Sequence, residues 1–321
     1  MGEDGPVTSA PQRPDGPTPA TRLIATDLDG TLLRDDKSVS ERTVAALAAA
    51  EEAGIAVFFV TGRPARWMGV VSDHVQGHGL AICANGAAVV DLHAMDRHTA
   101  DGQTTDGQTA DRHTSDRQPA GREFVQVRPL PRITALKVVE ALRAAAPGTS
   151  FAVELTTGIN YEPQYPPFFQ DPGANVATAE ELLHEATDDD AAPVLKVLAH
   201  HAELAPDEFL ELARSVAGAY ASITRSSPTS LLEISGPGVS KASTLALCCE
   251  ERGISPAEVV AFGDMPNDVE MLGWAGTSYA MGNAHPDVIA AASGRTVANN
   301  EDGVALVIER ILAARASRTE A

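Results

Sequence analysis

Cysteine is scarce in this chain: three residues in 321. Cys248 and Cys249 sit side by side on a helical stretch, so the three form neither a disulfide framework nor a zinc pattern. They read as reduced packing residues of a cytoplasmic protein. Positive charge is scarce too. Lys and Arg number 24 against 44 Asp and Glu, a net charge of −20, which argues against nucleic acid or an anionic membrane as partner. A site for an anionic substrate must then rely on a metal and on locally placed Lys, Arg and helix N-termini. Long apolar runs are also missing, so no membrane span is expected, and the acidic, Pro-rich start lacks the apolar core of a signal peptide.

What is present is a pattern of apolar strands that each end in polar residues. The clearest is Leu23 to Ala25 followed by Thr26-Asp27-Leu28-Asp29-Gly30-Thr31. In extended backbone the two carboxylates at i and i+2 share one side of the chain, and Gly30 permits a sharp turn. A bare D-x-D would be an ordinary polar strand end. The longer D-x-D-G-T after an apolar strand should arise by chance in roughly one chain of this length in a few hundred. Two adjacent acids repel each other unless a divalent cation uses them, or unless one is protonated while the other is ionised.

The same arrangement recurs along the chain. A helix opening at Ser40 leads to an apolar strand, Ile55 to Val60, which delivers Thr61-Gly62-Arg63. A third strand, Leu80 to Ala84, ends in Asn85-Gly86. Much later a helix beginning at Lys241 precedes a strand from Val259 to Phe262, which presents Gly263-Asp264-Met265-Pro266-Asn267-Asp268. This is β-α-β-α-β with every polar motif just past a strand's carboxyl end, where open α/β sheets bind ligands. The fold class expected is α/β: a Rossmann-like, doubly wound parallel sheet core with an inserted α+β cap domain.

About two domains of roughly 150 residues fit the length. Residues 1–20 read as a disordered leader, 21–86 and 236–321 as the core, and 87–235 as the insertion. Within it, 93–121 is a low-complexity loop with a degenerate repeat of about ten residues, too polar to pack as a solenoid. His98 and His113 there read as solvated loop residues rather than metal ligands. After that loop come a strand (Glu123 to Arg128) and an aromatic loop carrying Tyr165, Phe168 and Phe169, and the insertion ends near Ser235. His200-His201 reads as surface and Asp188-Asp189-Asp190 as a solvated turn.

Asp27, Asp29, Asp264 and Asp268 with one Lys241 make a site for a hard divalent cation, and oxygen ligands completed by a phosphate suit Mg²⁺ better than zinc. Thr61 and Lys241 are suitable donors to phosphate oxygens. Asp29 can expel an alcohol only when protonated, and with an ordinary pKa near 3.9 it is about 0.1% protonated at pH 7. Its pKa is therefore expected to be raised, with the neighbouring carboxylates as the cause. Asn85 reads equally as a hinge turn or a substrate contact, and Arg63 as a phosphate ligand or a helix-start residue.

Four motifs in order, Asp27-Leu28-Asp29-Gly30-Thr31, Thr61-Gly62-Arg63, Gly238-Val239-Ser240-Lys241 and Gly263-Asp264-Met265-Pro266-Asn267-Asp268, resemble those of the haloacid dehalogenase (HAD) superfamily. Within it the chain is most similar to Cof-type phosphatases with a C2B cap, over about residues 21–316. The resemblance implies an Mg²⁺-dependent phosphatase of small phosphorylated metabolites, sugar phosphates first. It implies Asp27 as nucleophile and Asp29 as general acid and base. Mg²⁺ would lie between Asp27, Asp264 and the backbone carbonyl of Asp29, with Asp268 supporting that shell. Phosphate would rest on Thr61, Gly62, Lys241, Asn267 and the backbone of Leu28. A phosphomutase or phosphotransferase, and a non-catalytic module phosphorylated on Asp27, are the alternatives. Oligomeric state is left open.

Overall fold

The structure is a computed structural model that describes residues 20–72, 79–92, 124–166, 171–184 and 192–319. The expectations for residues 1–19, for the repeat-bearing loop with His98 and His113, for Phe168 and Phe169, and for Asp188 to Asp190 lie outside the described residues.

The chain runs β1 (Leu23–Thr26), α1 (Glu41–Glu52), β2 (Ala56–Val60), α2 (Gly69–Ser72), β3 (Leu80–Cys83), β4 (Ala88–Asp91) and β5 (Phe124–Val127). Then follow α3 (Arg132–Ala145), β6 (Ser150–Leu155), β7 (Gly158–Tyr161), α4 (Ala179–His184), β8 (Val194–His200), α5 (Pro206–Ala217), β9 (Ser222–Thr224) and β10 (Leu231–Ser235). The last part is α6 (Lys241–Glu250), β11 (Val259–Gly263), α7 (Val269–Trp274), β12 (Thr277–Ala280), α8 (Pro286–Ala291), β13 (Gly294–Arg295) and α9 (Gly303–Thr319). Two sheets result: an eight-stranded one ordered β13-β12-β11-β1-β2-β3-β4-β5 and a five-stranded one ordered β7-β6-β8-β10-β9. No helix among the described residues is long and apolar enough to cross a membrane.

In the first sheet the strands from β13 to β3 are parallel. The near-continuous apolar sequences of β1, β2, β3 and β11 follow from burial of both faces. Ile24, Phe59 and Phe262 pack on one side with α1 and α9, while Leu23, Ala25, Phe58 and Ala261 pack on the other with α6, α7 and α8. β1 lies between β2 and β11. The chain winds outward from it in one direction and returns on the other, so the strand order reverses there. Ligands of open α/β sheets bind at such a reversal.

The expected boundary of the insertion needs correction. Residues from 87 onward were assigned to the cap, but β4 pairs antiparallel with β3, and β5 with β4, as the edge of the first sheet. Ala84 and Asn85 adopt left-handed φ of 50° and 55°, and Gly86 adopts 100°. This turn reverses the chain and sets Ala88 opposite Cys83. The strands on either side of the repeat-bearing segment thus belong to the core sheet.

The cap proper is the second sheet with α3, α4 and α5. Phe151, Val153, Val197, Ala199, Leu232 and Ile234 face those helices in one core. By alternation, Glu154, Lys196, Leu198 and Glu233 lie on the opposite face of the same strands. His201 is buried, against expectation: its Nδ1 accepts from the backbone N–H of Glu203 at 3.2 Å and of Leu204 at 3.1 Å, just ahead of α5.

Candidate active site

β1, β2 and β11 bring their carboxyl ends together, and the residues just beyond them form one acidic centre. Asp27 follows β1 and its N–H donates to the Phe262 carbonyl, locking it beside β11. Asp264 follows β11. Asp268 closes the short 3-10 turn Pro266–Asp268, and its Oδ2 accepts from the N–H of Asp264 and Met265, both at 3.0 Å. Lys241 is the first residue of α6, whose start is fixed by reciprocal bonds between Ser240 and Ser243. Its Nζ lies 2.9 Å from Asp27 Oδ1 and 2.7 Å from Asp268 Oδ1. All four groups are buried, with Lys241 only 1% exposed.

Oxygens of Asp27, Asp264 and Asp268 lie within 4.8 Å of one another. Three buried carboxylates therefore share a single ammonium. Burial and the nearby Asp268 and Asp264 push the Asp27 carboxyl well above its ordinary pKa despite Lys241. Burial, then Asp268, push Asp264 up to about 7. A proton or a cation must relieve this charge. The donor set fits a hard divalent cation, being all oxygen. Asp268 has both oxygens committed, to Lys241 and to the turn, and so acts as a support. Asp27 spends Oδ1 on Lys241, and Asp264 spends Oδ1 on Thr31 Oγ1 at 2.8 Å. The remaining oxygens of these two are the natural ligands. Gly30, at φ 74°, lies so close that a Cβ there would sit 2.2 Å from Asp264 Oδ2.

Asp29 behaves differently. Arg63 donates to both its oxygens, Nε to Oδ2 at 2.5 Å and a terminal nitrogen to Oδ1 at 2.7 Å, and Lys37 Nζ reaches Oδ1 at 2.9 Å. Burial alone would raise its pKa, but hydrogen bonds and charge from Arg63 and then Lys37 overcome that and hold it at about 2. The expectation of a raised pKa is overturned, because the cations flanking the carboxyl outweigh its burial. Arg63 is thus engaged with Asp29. A basic residue in the loop after D-x-D-G-T was the signal for Lys37.

Among the residues expected to hold phosphate, Thr61 is buried at the end of β2, and its Oγ1 accepts from Arg63 N–H at 3.1 Å. The Leu28 side chain is buried in the core, and its carbonyl accepts from Thr31 and Leu33 N–H. Asn85 is buried, accepts from Asn267 Nδ2 at 3.0 Å and donates to Glu233 Oε2 at 2.7 Å. A cavity of about 660 Å³ joins these groups to the cap. It is lined by Asp27, Asp29, Thr61, Gly62, Arg63, Asp264 and Asn267 from the core, and by Glu154, Tyr165, Lys196 and Glu233 from the cap. Sequence reasoning missed the three cap charges. Their signal is one charged residue inside each otherwise apolar strand: Phe-Ala-Val-Glu154-Leu, Val-Leu-Lys196-Val-Leu and Leu-Leu-Glu233-Ile.

The family model described as haloacid dehalogenase-like hydrolase matches residues 24–114 and 120–308. Pyridoxal phosphate phosphatase YbhA of Escherichia coli is 30% identical over 308 residues, covering 90% of this chain and 97% of the relative. The 5-amino-6-(5-phospho-D-ribitylamino)uracil phosphatase YcsE of Bacillus subtilis is 28% identical over 290 residues, covering 89% and 94%. Among solved structures, the HAD-superfamily phosphatase BT1666 of Bacteroides thetaiotaomicron superposes with a TM-score of 0.69 at 23% identity, covering 94% of this chain and 99% of that one.

Proposed function

The chain belongs to the haloacid dehalogenase-like hydrolase family, and from that premise we propose an Mg²⁺-dependent phosphatase that hydrolyses small phosphomonoesters through a phospho-aspartyl intermediate. The observation that carries this reading is the buried cluster of Asp27, Asp264 and Asp268 around Lys241, beside a cavity between core and cap.

Asp27 attacks phosphorus, and its Oδ1 is held in line by Lys241. Asp27 and Asp264 would hold Mg²⁺, which would supply the positive charge that lets a carboxylate approach an anionic phosphate. Thr61, Gly62, Lys241, Asn267 and the Leu28 backbone hold the phosphoryl oxygens, and Asp268 keeps Lys241 in place. Asp29 protonates the departing alcohol and then activates the water that cleaves the acyl phosphate. Since Arg63 and Lys37 hold Asp29 ionised, it takes up this role only after it leaves that ion pair and gains a proton from solvent. Bulky substrates are excluded by the cap, which favours small metabolites.

The test is phosphate release from p-nitrophenyl phosphate and from a panel of sugar phosphates, pyridoxal phosphate and phosphorylated ribityl compounds, with Asp27→Asn as the blank. Mg²⁺-dependent release by the natural chain supports the proposal. An intact panel ends it, and an isomerised sugar phosphate without free phosphate replaces hydrolysis by transfer.

A further inference from the structure

β6, β8 and β10 lie side by side in the cap sheet, and each places one charge on the face turned toward the catalytic cluster. Glu154 pairs in register with Lys196, and Glu233 lies opposite Leu198. All three charged side chains are buried. Glu154 is held bidentately by Arg66 of the core, at the edge of the cavity. The other two reach further in. Lys196 Nζ donates to the backbone carbonyl of Gly62 at 2.8 Å and is ion-paired with Glu233. Glu233 also accepts from Ser226 and from Asn85 Nδ2, the latter at 2.7 Å, and a Cβ on Gly62 would meet its Oε1 at 3.2 Å. Asn85 in turn accepts from Asn267 at 3.0 Å. A continuous line of buried polar groups thus runs from a cap strand to both turns assigned to phosphate.

We propose that Glu233, with Lys196 as its counter-ion, is a positioning residue of the phosphatase reaction: it seats the cap on the Thr61-Gly62 turn and holds Asn85 against Asn267. This rests on the phosphatase reading above. Both oxygens of Glu233 accept bonds from protein donors, so it acts through the groups it holds and not on substrate. A buried ion pair is also weak evidence for stability, since apolar side chains of similar volume commonly do as well or better. What such a pair supplies is geometry. Its bonds to the core can form only when the cap is docked, because Lys196 and Glu233 come from the cap while Gly62 and Asn85 come from the core. Docking and alignment of the phosphate ligands are then one event.

The experiment compares Glu233→Gln and the double variant Lys196→Met/Glu233→Leu, which leaves no unpaired buried charge, with the natural chain. Each is measured for melting temperature and for kcat and KM on p-nitrophenyl phosphate and on one sugar phosphate. The expected result is a fall in kcat of roughly ten- to a hundredfold, by the same factor on both substrates, in the folded variants. The double variant should melt near the natural chain yet stay slow. Full activity in the double variant overturns the proposal and leaves the pair a packing device. A loss confined to KM for the sugar phosphate overturns it as well, making Glu233 a substrate contact. An inactive natural chain removes the phosphatase reading itself, which is a separate outcome.

Discussion

Replacing Lys241 by Met keeps the length and apolar stem of the side chain and deletes only the ammonium. That ammonium lies 2.9 Å from Asp27 and 2.7 Å from Asp268 and is 1% exposed. The variant leaves three buried carboxylates facing one another without a cation. Removing one partner of a buried ion pair costs about 3–5 kcal/mol, against a total stability of about 5–15 kcal/mol. With a urea slope near the upper end of the usual range, about 3 kcal/mol/M, the midpoint should fall by about 1–1.7 M. Urea unfolding followed by the fluorescence of Trp67 and Trp274, in chelator at pH 8, measures this directly. Catalysis should fall by about 10²–10³, as for loss of one charge-stabilising donor. Acid should narrow the stability gap, since protonating Asp27 or Asp264 removes the repulsion that Lys241 now offsets. A stability loss below about 0.5 kcal/mol, the size of an ordinary surface change, would refute the reasoning that Lys241 neutralises the cluster.

Other expectations follow from the same geometry. Gly30→Ala should weaken Mg²⁺ binding at least tenfold in calorimetry, because its Cβ would lie 2.2 Å from Asp264 Oδ2 and its φ of 74° adds about 1–3 kcal/mol of strain; unchanged affinity would clear Asp264 of a ligand role. In the metal-free protein the raised Asp264 pKa of about 7 means that the folded state holds more protons than the unfolded state between about pH 4 and 7. Its stability should therefore decline as pH rises through that window, and the rise in melting temperature on adding Mg²⁺ should be larger at pH 8 than at pH 5. Equal shifts at both values would contradict this. Asp29→Asn should lower turnover by about 10²–10⁴ while the chain stays folded by circular dichroism, and full activity in that variant would end the acid–base assignment.

Asp27, Asp264 and Lys241 were legible in the sequence because each falls where an apolar strand or a helix start makes its position nearly independent of tertiary detail. The parallel core was legible for the same reason: Leu23 to Ala25, Phe58 to Val60 and Val259 to Phe262 are apolar on both faces. β4 was not. It is only four residues long, and the Asn85-Gly86 turn before it reads equally as a hinge into an inserted domain. The electrostatics of Asp29 were equally hidden, since Arg63 is 34 residues away and its choice between phosphate, solvent and Asp29 depends on side-chain direction. The polar face of the cap needed the pairing of β6, β8 and β10, which separates Glu154 from Glu233 by long stretches of chain. His201 misled because a buried histidine capping backbone N–H groups leaves no pattern in its neighbours.

The most direct test of the central claim is to mix the protein with Mg²⁺ and ³²P-labelled substrate, quench in acid within the first turnover, and map the label by peptide mass spectrometry. Label on the peptide containing Asp27, absent from Asp27→Asn, is the predicted result. Turnover by the natural chain with no label on that peptide, or with label on a different side chain, would contradict the account.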